Sequence, residues 1–205
     1  MTEKATRESD RRNGRPRSEQ SRRAILDATL DLLGHEVLSE ITIASIASKA
    51  KVGKSTIYRW WPSRTALILE VIDGLPPIVA VDTGSLVSDL CEVSMQLSEL
   101  LVASPLGKVL AHFAADRTAQ NDPSVRDYFA SRTRPISDVF ERAVARGEFP
   151  AVPEPEMLIH IAMGPILNRV FFGAQPPDKE FITTAVRTVI AGFPIALASD
   201  GDAGK

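Results

Sequence analysis

Residues 42–64 read TIASIASKAKVGKSTIYRWWPSR, and this stretch decides the fold. Its apolar spacing predicts two short helices, one over about residues 42–50 and one over about 53–61. Pro62 ends the second helix, because the residue before a proline is disfavoured in the helical region. Two short helices joined by a tight turn, here residues 51–53, form a helix-turn-helix.

The outer face of the second helix carries donors and acceptors suited to base edges and phosphates. No Asp or Glu occurs between Ala44 and Ile68, so repulsion of a phosphate would be minimal there, and the helix N-terminus adds a partial positive charge. Arg64, in the first turn of the next helix, extends the basic surface. The alternative is a short solvated helix in an ordinary bundle. The outward residues are Lys54, Ser55, Thr56, Tyr58 and Arg59.

Helical periodicity continues on both sides of this motif, whereas strand patterns are nearly absent. The sequence predicts an all-α chain of about nine helices, with a disordered basic arm at 1–17 and a disordered tail at 199–205. A head at 18–74 begins with Ser18 as N-cap and contains the helix-turn-helix and a connecting helix at 63–74. A larger body occupies residues 84–198. Its five helices are predicted at about 84–103, 105–117, 123–147, 155–173 and 178–198.

The net charge changes sign along the chain. Residues 1–64 hold 13 Lys or Arg and 8 Asp or Glu, whereas residues 65–205 hold 11 and 18. A basic head suggests a polyanionic partner, but a basic disordered tail without a partner fits equally well. No apolar run reaches the roughly 18–20 residues of a membrane span, and no signal peptide is recognisable. The single Cys91 favours the reducing cytoplasm.

The head resembles the DNA-binding domain of the tetracycline-repressor (TetR) family. The resemblance is close over about residues 18–70 and depends most on the triplets at 56–58 and 62–64 and on the pair at 66–67. The body is similar to the family only in outline. The resemblance implies a dimeric regulator that binds double-stranded DNA.

The family resemblance also implies roles for individual side chains. Thr42, Tyr58 and Arg64 would contact phosphates. Arg15, Arg17, Arg22 and Arg23 would reach the nearby backbone or minor groove, or would form a solvated arm instead. The remaining residues are Lys54, Ser55 and Thr56 at bases of the major groove, Arg59 at a base or phosphate, and Trp60 along the sugar-phosphate backbone.

Two positions depart from the family pattern. Lys51, after the second helix, and Val37, after the first, stand where the family usually has glycine. A left-handed backbone would cost roughly 1–2 kcal/mol at each position, and the β-branched Val37 is the harder case. We therefore expect a rearranged first turn and an intact recognition helix.

The last two long helices are apolar over broad faces and must be covered by the body or by a partner. The resemblance suggests that they pair with their copies as a four-helix bundle. Two heads would then meet half-sites about one DNA turn apart, roughly 34–36 Å, on a near-palindromic operator. The candidate interface residues are Met157, Ile161, Val170, Phe171, Ile182, Val186, Val189 and Phe193.

The middle helices offer residues for an apolar ligand pocket, although an ordinary packed core explains each of them as well. A ligand that prefers one conformation of the body would change the spacing of the heads and release the operator. The sequence thus favours a repressor released by a small, largely apolar molecule, with an activator or a ligand-independent DNA-binding protein as alternatives. The candidate pocket residues are Leu97, Leu101, Val109, His112, Phe113, Phe129, Ile136, Phe140, Met163 and Leu167.

The sequence does not favour an enzyme. Its three histidines, His35, His112 and His160, form no metal-ligand pattern with Cys91. It contains no glycine-rich phosphate loop and no nucleophile motif. We expect no catalytic residue, no metal and no cofactor.

Overall fold

The computed structural model describes residues 4–150 and 155–199, with side-chain environments for 18–116, 118–119, 121–150 and 156–193. This part of the chain contains ten helices and no strand, which confirms the all-α prediction. The helices are α1 (Lys4–His35), α2 (Ile43–Lys49), α3 (Lys54–Trp60), α4 (Arg64–Asp73), α5 (Leu86–Ala103), α6 (Leu106–Ala115), α7 (Arg117–Gln120), α8 (Pro123–Ala145), α9 (Pro155–Phe172) and α10 (Lys179–Ser199).

The single-turn helix α7 is the element that periodicity missed. The predicted helix at 105–117 ends at Ala115, because the next residue starts a new turn. The Asp116 carboxylate accepts hydrogen bonds from the backbone N–H of Thr118 at 2.8 Å and of Ala119 at 3.3 Å. Such a side-chain cap begins a helix rather than continuing one.

Helix α1 begins at Lys4, whereas the sequence predicted its start near Ser18. Arg, Lys and Glu are good helix formers, so this polar segment can be helical without an apolar face. The side chains of 1–17, including Arg15 and Arg17, lie outside the described residues. The sequence predicted a disordered arm over 1–17, whereas residues 4–17 belong to α1. Residues 1–3 and most of the predicted tail, residues 200–205, lie outside the described residues.

The chain divides into two compact units, one of residues 1–75 with 108–120 and one of residues 76–107 with 121–205. The segment 108–120 thus groups with α1–α4, although the sequence had placed it in the body. Within this first unit, the Lys108 ammonium donates to the Gly34 carbonyl at 2.7 Å.

The first unit packs α1, α2, α3 and α4 around a core of aliphatic side chains. The inner face of α1 consists of five buried residues, Ile25, Ala28, Thr29, Leu32 and Leu33. Its one polar member, Thr29, donates from its hydroxyl to the Ile25 carbonyl at 2.8 Å. The most deeply buried side chains of the unit include Ile25, Leu33, Ile41, Ile46, Ile57, Leu67, Ile68 and Ile72.

The second unit packs α5, α8, α9 and α10 around one apolar cluster. The ring of Phe149 lies 5.6 Å from that of Phe140 and 5.4 Å from that of Phe193, measured between centroids. A glycine is required at Gly107, where α5 turns into α6, because a β-carbon there would fall on the Leu101 carbonyl oxygen.

Candidate DNA-binding surface

Helix α2 begins with a capping box that Thr42 and Ser45 form. The Thr42 side chain accepts from the backbone N–H of Ser45 at 3.0 Å, and the Ser45 hydroxyl oxygen accepts from the backbone N–H of Thr42 at 2.9 Å. Two N–H groups at the helix start are thereby satisfied. Thr42 is exposed and Ser45 is half-buried. Thr42 therefore caps the helix and is at the same time a candidate for a contact with phosphate.

The turn between α2 and α3 has a left-handed residue that is not glycine. Lys51 has φ of 55°, and the backbone N–H groups of Lys51 and Val52 donate to Ser48 and Ala47 at 3.2 and 3.0 Å. This pair of bonds closes the end of α2 as a Schellman motif. The motif directs the chain into α3 despite the steric cost of a β-carbon at Lys51.

The turn after α1 is rearranged, as expected from Val37. Among the described residues other than glycine, only Lys51 has a positive φ. The Val37 carbonyl accepts from the N–H of Glu40 at 2.9 Å, and the Leu38 carbonyl accepts from the N–H of Ile41 at 3.3 Å. Val37 itself is 63% exposed, so its β-branched side chain meets no crowding.

Helix α3 has one buried face and one exposed face. Ile57 is fully buried and Trp61, at its end, is 3% exposed, which confirms the predicted inward side. Thr56 is half-buried. In the described part of the chain, no hydrogen bond or ion pair engages the outward side chains. These exposed residues are Lys54, Ser55, Tyr58 and Arg59.

Arg64 lies in a different environment from the one predicted. Its guanidinium Nη1 donates to the carbonyl of Leu38 at 3.1 Å and to that of Ile41 at 2.7 Å, so it supports the turn between α1 and α2. The sequence could not indicate this role, because the two carbonyls that Arg64 contacts lie 26 and 23 positions away along the chain. Contact of Arg64 with phosphate stays a prediction.

Glu70 of α4 is a residue that the sequence analysis missed. Its carboxylate accepts from the indole N–H of Trp61 at 2.7 Å and forms an ion pair with Arg22 of α1. Trp60, predicted to lie along DNA, is half-buried beside this pair. A single acid within the apolar sequence ALILEVI was the available signal, since a carboxylate there needs a partner.

The ten predicted pocket residues fall into both units. Val109, His112 and Phe113 belong to the first, with His112 half-buried and its ring 5.9 Å from that of Phe113. The other seven belong to the second, where Leu101, Ile136, Phe140 and Met163 are buried and Leu97, Phe129 and Leu167 are half-buried.

An open groove in the second unit has a volume of about 230 Å³. None of the predicted pocket residues lines it. Its walls are Met95, Ser98, Glu99, Val102, Pro176, Pro177, Lys179 and Ile182.

The eight predicted interface residues differ in exposure. Met157 and Ile161 are 39% and 43% exposed, whereas Ile182, Val186 and Phe193 are buried in the core of their own unit. Val170, Phe171 and Val189 are half-buried. The apolar inner face of α10 is therefore explained by packing within one chain. Phe172, which the sequence analysis did not select for the interface, is 82% exposed.

The described residues hold no group of three or more His, Cys, Asp or Glu side chains placed to bind a metal ion. Among the same residues, none of the helices combines the length and apolar character needed to cross a membrane.

The geometry of α2, the left-handed turn and α3 defines the class of the protein, which is a helix-turn-helix DNA-binding protein. Two family models match the chain. The model "Bacterial regulatory proteins, tetR family" covers residues 25–71, and "Tetracyclin repressor-like, C-terminal domain" covers residues 80–189. The chain belongs to the TetR family of transcriptional regulators, and its N-terminal domain is the DNA-binding domain.

Curated relatives and solved structures agree with this assignment. The chain is 27% identical over 197 residues to the uncharacterized HTH-type transcriptional regulator YdeS of Bacillus subtilis (strain 168), covering 92% of this chain and 98% of that protein. It is 27% identical over 184 residues to the DNA-binding transcriptional repressor TetR of Mycobacteroides abscessus, covering 85% and 94%.

The fold is similar to those of solved TetR-type proteins. The crystal structure of the TetR family transcription regulator SCO0332 matches with a TM-score of 0.61 and 23% identity over 84% of this chain and 98% of that one. The flavonoid-responsive regulator FrrA matches with a TM-score of 0.58 and 18% identity, over 87% and 97%.

Proposed function

We propose that the chain is a dimeric repressor that binds a near-palindromic operator through α3 and is released by a small, largely apolar molecule. The observation that carries the DNA-binding part is the outward face of α3. Lys54, Ser55, Tyr58 and Arg59 are exposed, and no described group engages them. Polar side chains that lack partners in their own subunit are available to phosphates and base edges.

The local electrostatics support the same face. An ion pair joins Lys49 of α2 to Asp31 of α1, and the hydrogen bond from Lys49 holds the pKa of Asp31 below its ordinary value. Lys49 is thus already paired with an acid, whereas Lys54 and Arg59 have no acidic partner among the residues whose side chains are described. The two cations of α3 therefore contribute a positive potential that a nucleic acid can neutralise.

Dimerisation is supported by the outward side of α9. Met157, Ile161 and Phe172 are large apolar side chains with substantial exposure, and a second copy would remove them from water. A two-fold axis would also present two copies of α3 to the two half-sites of an operator. The sign of regulation follows the M. abscessus relative, whose name describes it as a repressor.

The DNA-binding part is tested with duplexes enriched from random-sequence DNA by the wild-type protein. We expect enrichment of a near-palindromic sequence, a complex with two chains per duplex, and repression of a reporter gene when that sequence overlaps its promoter. Arg59→Gln, an α3 variant, should lose this binding, whereas Arg134→Gln, an exposed α8 variant, should retain it. A wild-type protein that enriches no sequence, or activates the reporter, would contradict the proposal.

The ligand part is tested by thermal unfolding with a panel of small apolar molecules, of which a flavonoid is the first. A compound that binds the folded protein raises the unfolding temperature. We expect such a compound to weaken the complex with the enriched duplex. Stabilisation of the protein without any change in duplex affinity would contradict release by a ligand.

A further inference from the structure

Four side chains from three helices meet at the C-terminal end of α3. Trp60 and Trp61 stand where α3 ends, Arg22 comes from α1, and Glu70 comes from α4. The Glu70 carboxylate uses both oxygens, one for the indole N–H of Trp61 at 2.7 Å and the other for the Arg22 guanidinium. We call these four residues the tryptophan cluster.

Arg22 is held on two sides in this cluster. Its guanidinium carbon lies 5.6 Å from the ring centroid of Trp60 and 5.7 Å from that of Trp61, within the range of a cation–π interaction. Its charge is paired with Glu70, and about two thirds of its side chain is buried. Arg22 is therefore engaged inside the first unit, although the sequence had placed it as a candidate for the DNA backbone.

Trp61 connects the cluster to the geometry of α3. It is the C-cap of that helix, with its backbone N–H donating to the Ile57 carbonyl at 3.0 Å, and its side chain is 3% exposed. A hydrogen bond that fixes the Trp61 indole therefore fixes the end of α3 relative to α4. The start of α3 is fixed separately by the left-handed turn at Lys51.

We propose that Glu70 is a positioning residue for DNA binding: without touching DNA, it holds Trp61 and Arg22 so that α3 keeps its orientation in the head. This inference depends on the proposed function, because it assumes that α3 contacts DNA. It adds a residue of α4, outside the helix-turn-helix itself, to the groups that determine operator affinity.

A purely electrostatic role and a positioning role for Glu70 predict opposite changes in DNA affinity when Glu70 is replaced. If Glu70 acted on DNA only through its charge, its removal would reduce repulsion, free Arg22 and strengthen binding to every duplex. If it positions α3, its removal weakens binding to the enriched duplex while binding to random duplex stays equal or increases. Asp73 is the matched control, because it is an exposed acid on the same helix.

The experiment compares wild type with Glu70→Ala, Glu70→Gln and Asp73→Asn in the full chain. Affinities are measured for the duplex enriched by the wild type and for a random duplex of the same length. We expect Glu70→Ala to bind the enriched duplex about tenfold more weakly, as for loss of a charged hydrogen bond. Glu70→Gln, which keeps an acceptor for Trp61 but loses the ion pair, should be intermediate, and Asp73→Asn should match the wild type.

Tryptophan fluorescence provides a readout that does not need DNA. The chain has two tryptophans, Trp60 and Trp61, so its emission reports on the cluster alone. We expect a red-shifted emission maximum for Glu70→Ala under conditions where circular dichroism shows a folded protein, and an unchanged maximum for Asp73→Asn. If Glu70→Ala fails to fold, the same affinity and fluorescence measurements on Glu70→Gln still test whether Glu70 positions α3.

Folded Glu70 variants that bind the enriched duplex as tightly as the wild type, or more tightly, would overturn the positioning role. An unchanged emission maximum in both Glu70→Ala and Glu70→Gln would show that Glu70 does not hold the Trp61 indole, which would overturn the contact on which the positioning role is based. These results differ from failure of the proposed function, in which the wild type itself binds neither duplex.

Discussion

Helices α3 and α8 both carry charged side chains, but they use them differently. In α8, Arg134 donates to Asp138 at 2.8 Å and Arg142 donates to the carbonyl of Val81 at 2.7 Å, and at the C-cap of this helix Arg146 donates to Glu148 at 2.9 Å. In α3, neither Lys54 nor Arg59 has a partner among the described residues. These three arginines have partners within their own unit, whereas the two cations of α3 are available to another molecule.

This difference separates two kinds of substitution. A charge that is hydrogen-bonded inside the subunit contributes to folding, so its removal lowers the free energy of unfolding. An exposed charge without a partner contributes little to folding, and its removal changes only what the surface binds.

The largest effect on stability is expected for Asp89→Ala. Asp89 is fully buried, and its carboxylate accepts from the N–H of Thr83 at 2.7 Å and from its hydroxyl at 2.6 Å, with Arg146 at 3.7 Å. Removing the carboxylate leaves the N–H and the hydroxyl of Thr83 without their charged acceptor, whereas Arg146 keeps Asp82 and Glu148 as partners. We expect the free energy of unfolding to fall by about 3 kcal/mol. Denaturant unfolding measures it. For Glu141→Ala, at an exposed α8 position, the free energy of unfolding should stay within about 0.5 kcal/mol of the wild-type value. An equal loss in Asp89→Ala and Glu141→Ala would contradict the distinction between hydrogen-bonded buried charges and exposed ones.

The reverse behaviour is expected for Tyr58→Ala on α3. Tyr58 is 54% exposed, so the free energy of unfolding should change little. Loss of its phosphate contact should weaken binding to all duplexes by about 1–2 kcal/mol. Titration of labelled duplex measures this loss, and Tyr58→Phe isolates the hydroxyl. Unchanged affinity in Tyr58→Ala would remove this residue from the DNA-binding surface.

A gain in stability is expected for Lys51→Gly. Glycine adopts the left-handed backbone without steric cost, and the advantage is partly offset by greater freedom of the unfolded chain. We expect the free energy of unfolding to rise by about 1 kcal/mol. Ala50→Gly is the control, because φ of −75° at Ala50 gives glycine no advantage and should make it destabilising. A destabilised Lys51→Gly would show that the lysine side chain contributes to the turn.

The smallest effect concerns Cys91 of the second unit. Burial raises the pKa of its thiol, opposed by a hydrogen bond with Thr183 and by the positive charges of Arg187 and Lys179. The folded protein therefore holds the thiol proton of Cys91 more tightly than the unfolded chain does. The resulting contribution to the free energy of unfolding is fully present below the unfolded pKa of about 8.5 and decreases as the pH rises above that value. At pH 8, a thiol reagent should react with Cys91 more slowly in the folded than in the denatured protein. Equal rates would contradict the raised pKa.

The sequence predicted what depends on neighbours along the chain. The approximate bounds of α2, α3 and α4 and the outward face of α3 follow from spacing over a few residues. Pairings between distant residues did not follow, since Arg22 and Glu70 are 48 positions apart. Helix α10 shows the other limit: periodicity identifies an apolar face, as at Ile182, but does not say whether the same chain or a partner covers it.

The salt dependence of binding to the enriched duplex tests the α3 surface most directly. The logarithm of the binding constant is measured against the logarithm of salt concentration for wild type, for Lys54→Gln combined with Arg59→Gln, and for Arg134→Gln combined with Lys179→Gln as a charge-matched control. We expect the slope of the α3 variant to be shallower by about one to two, because fewer counterions are released, with the control unchanged. Equal slopes for all three proteins would show that α3 is not the surface that meets DNA.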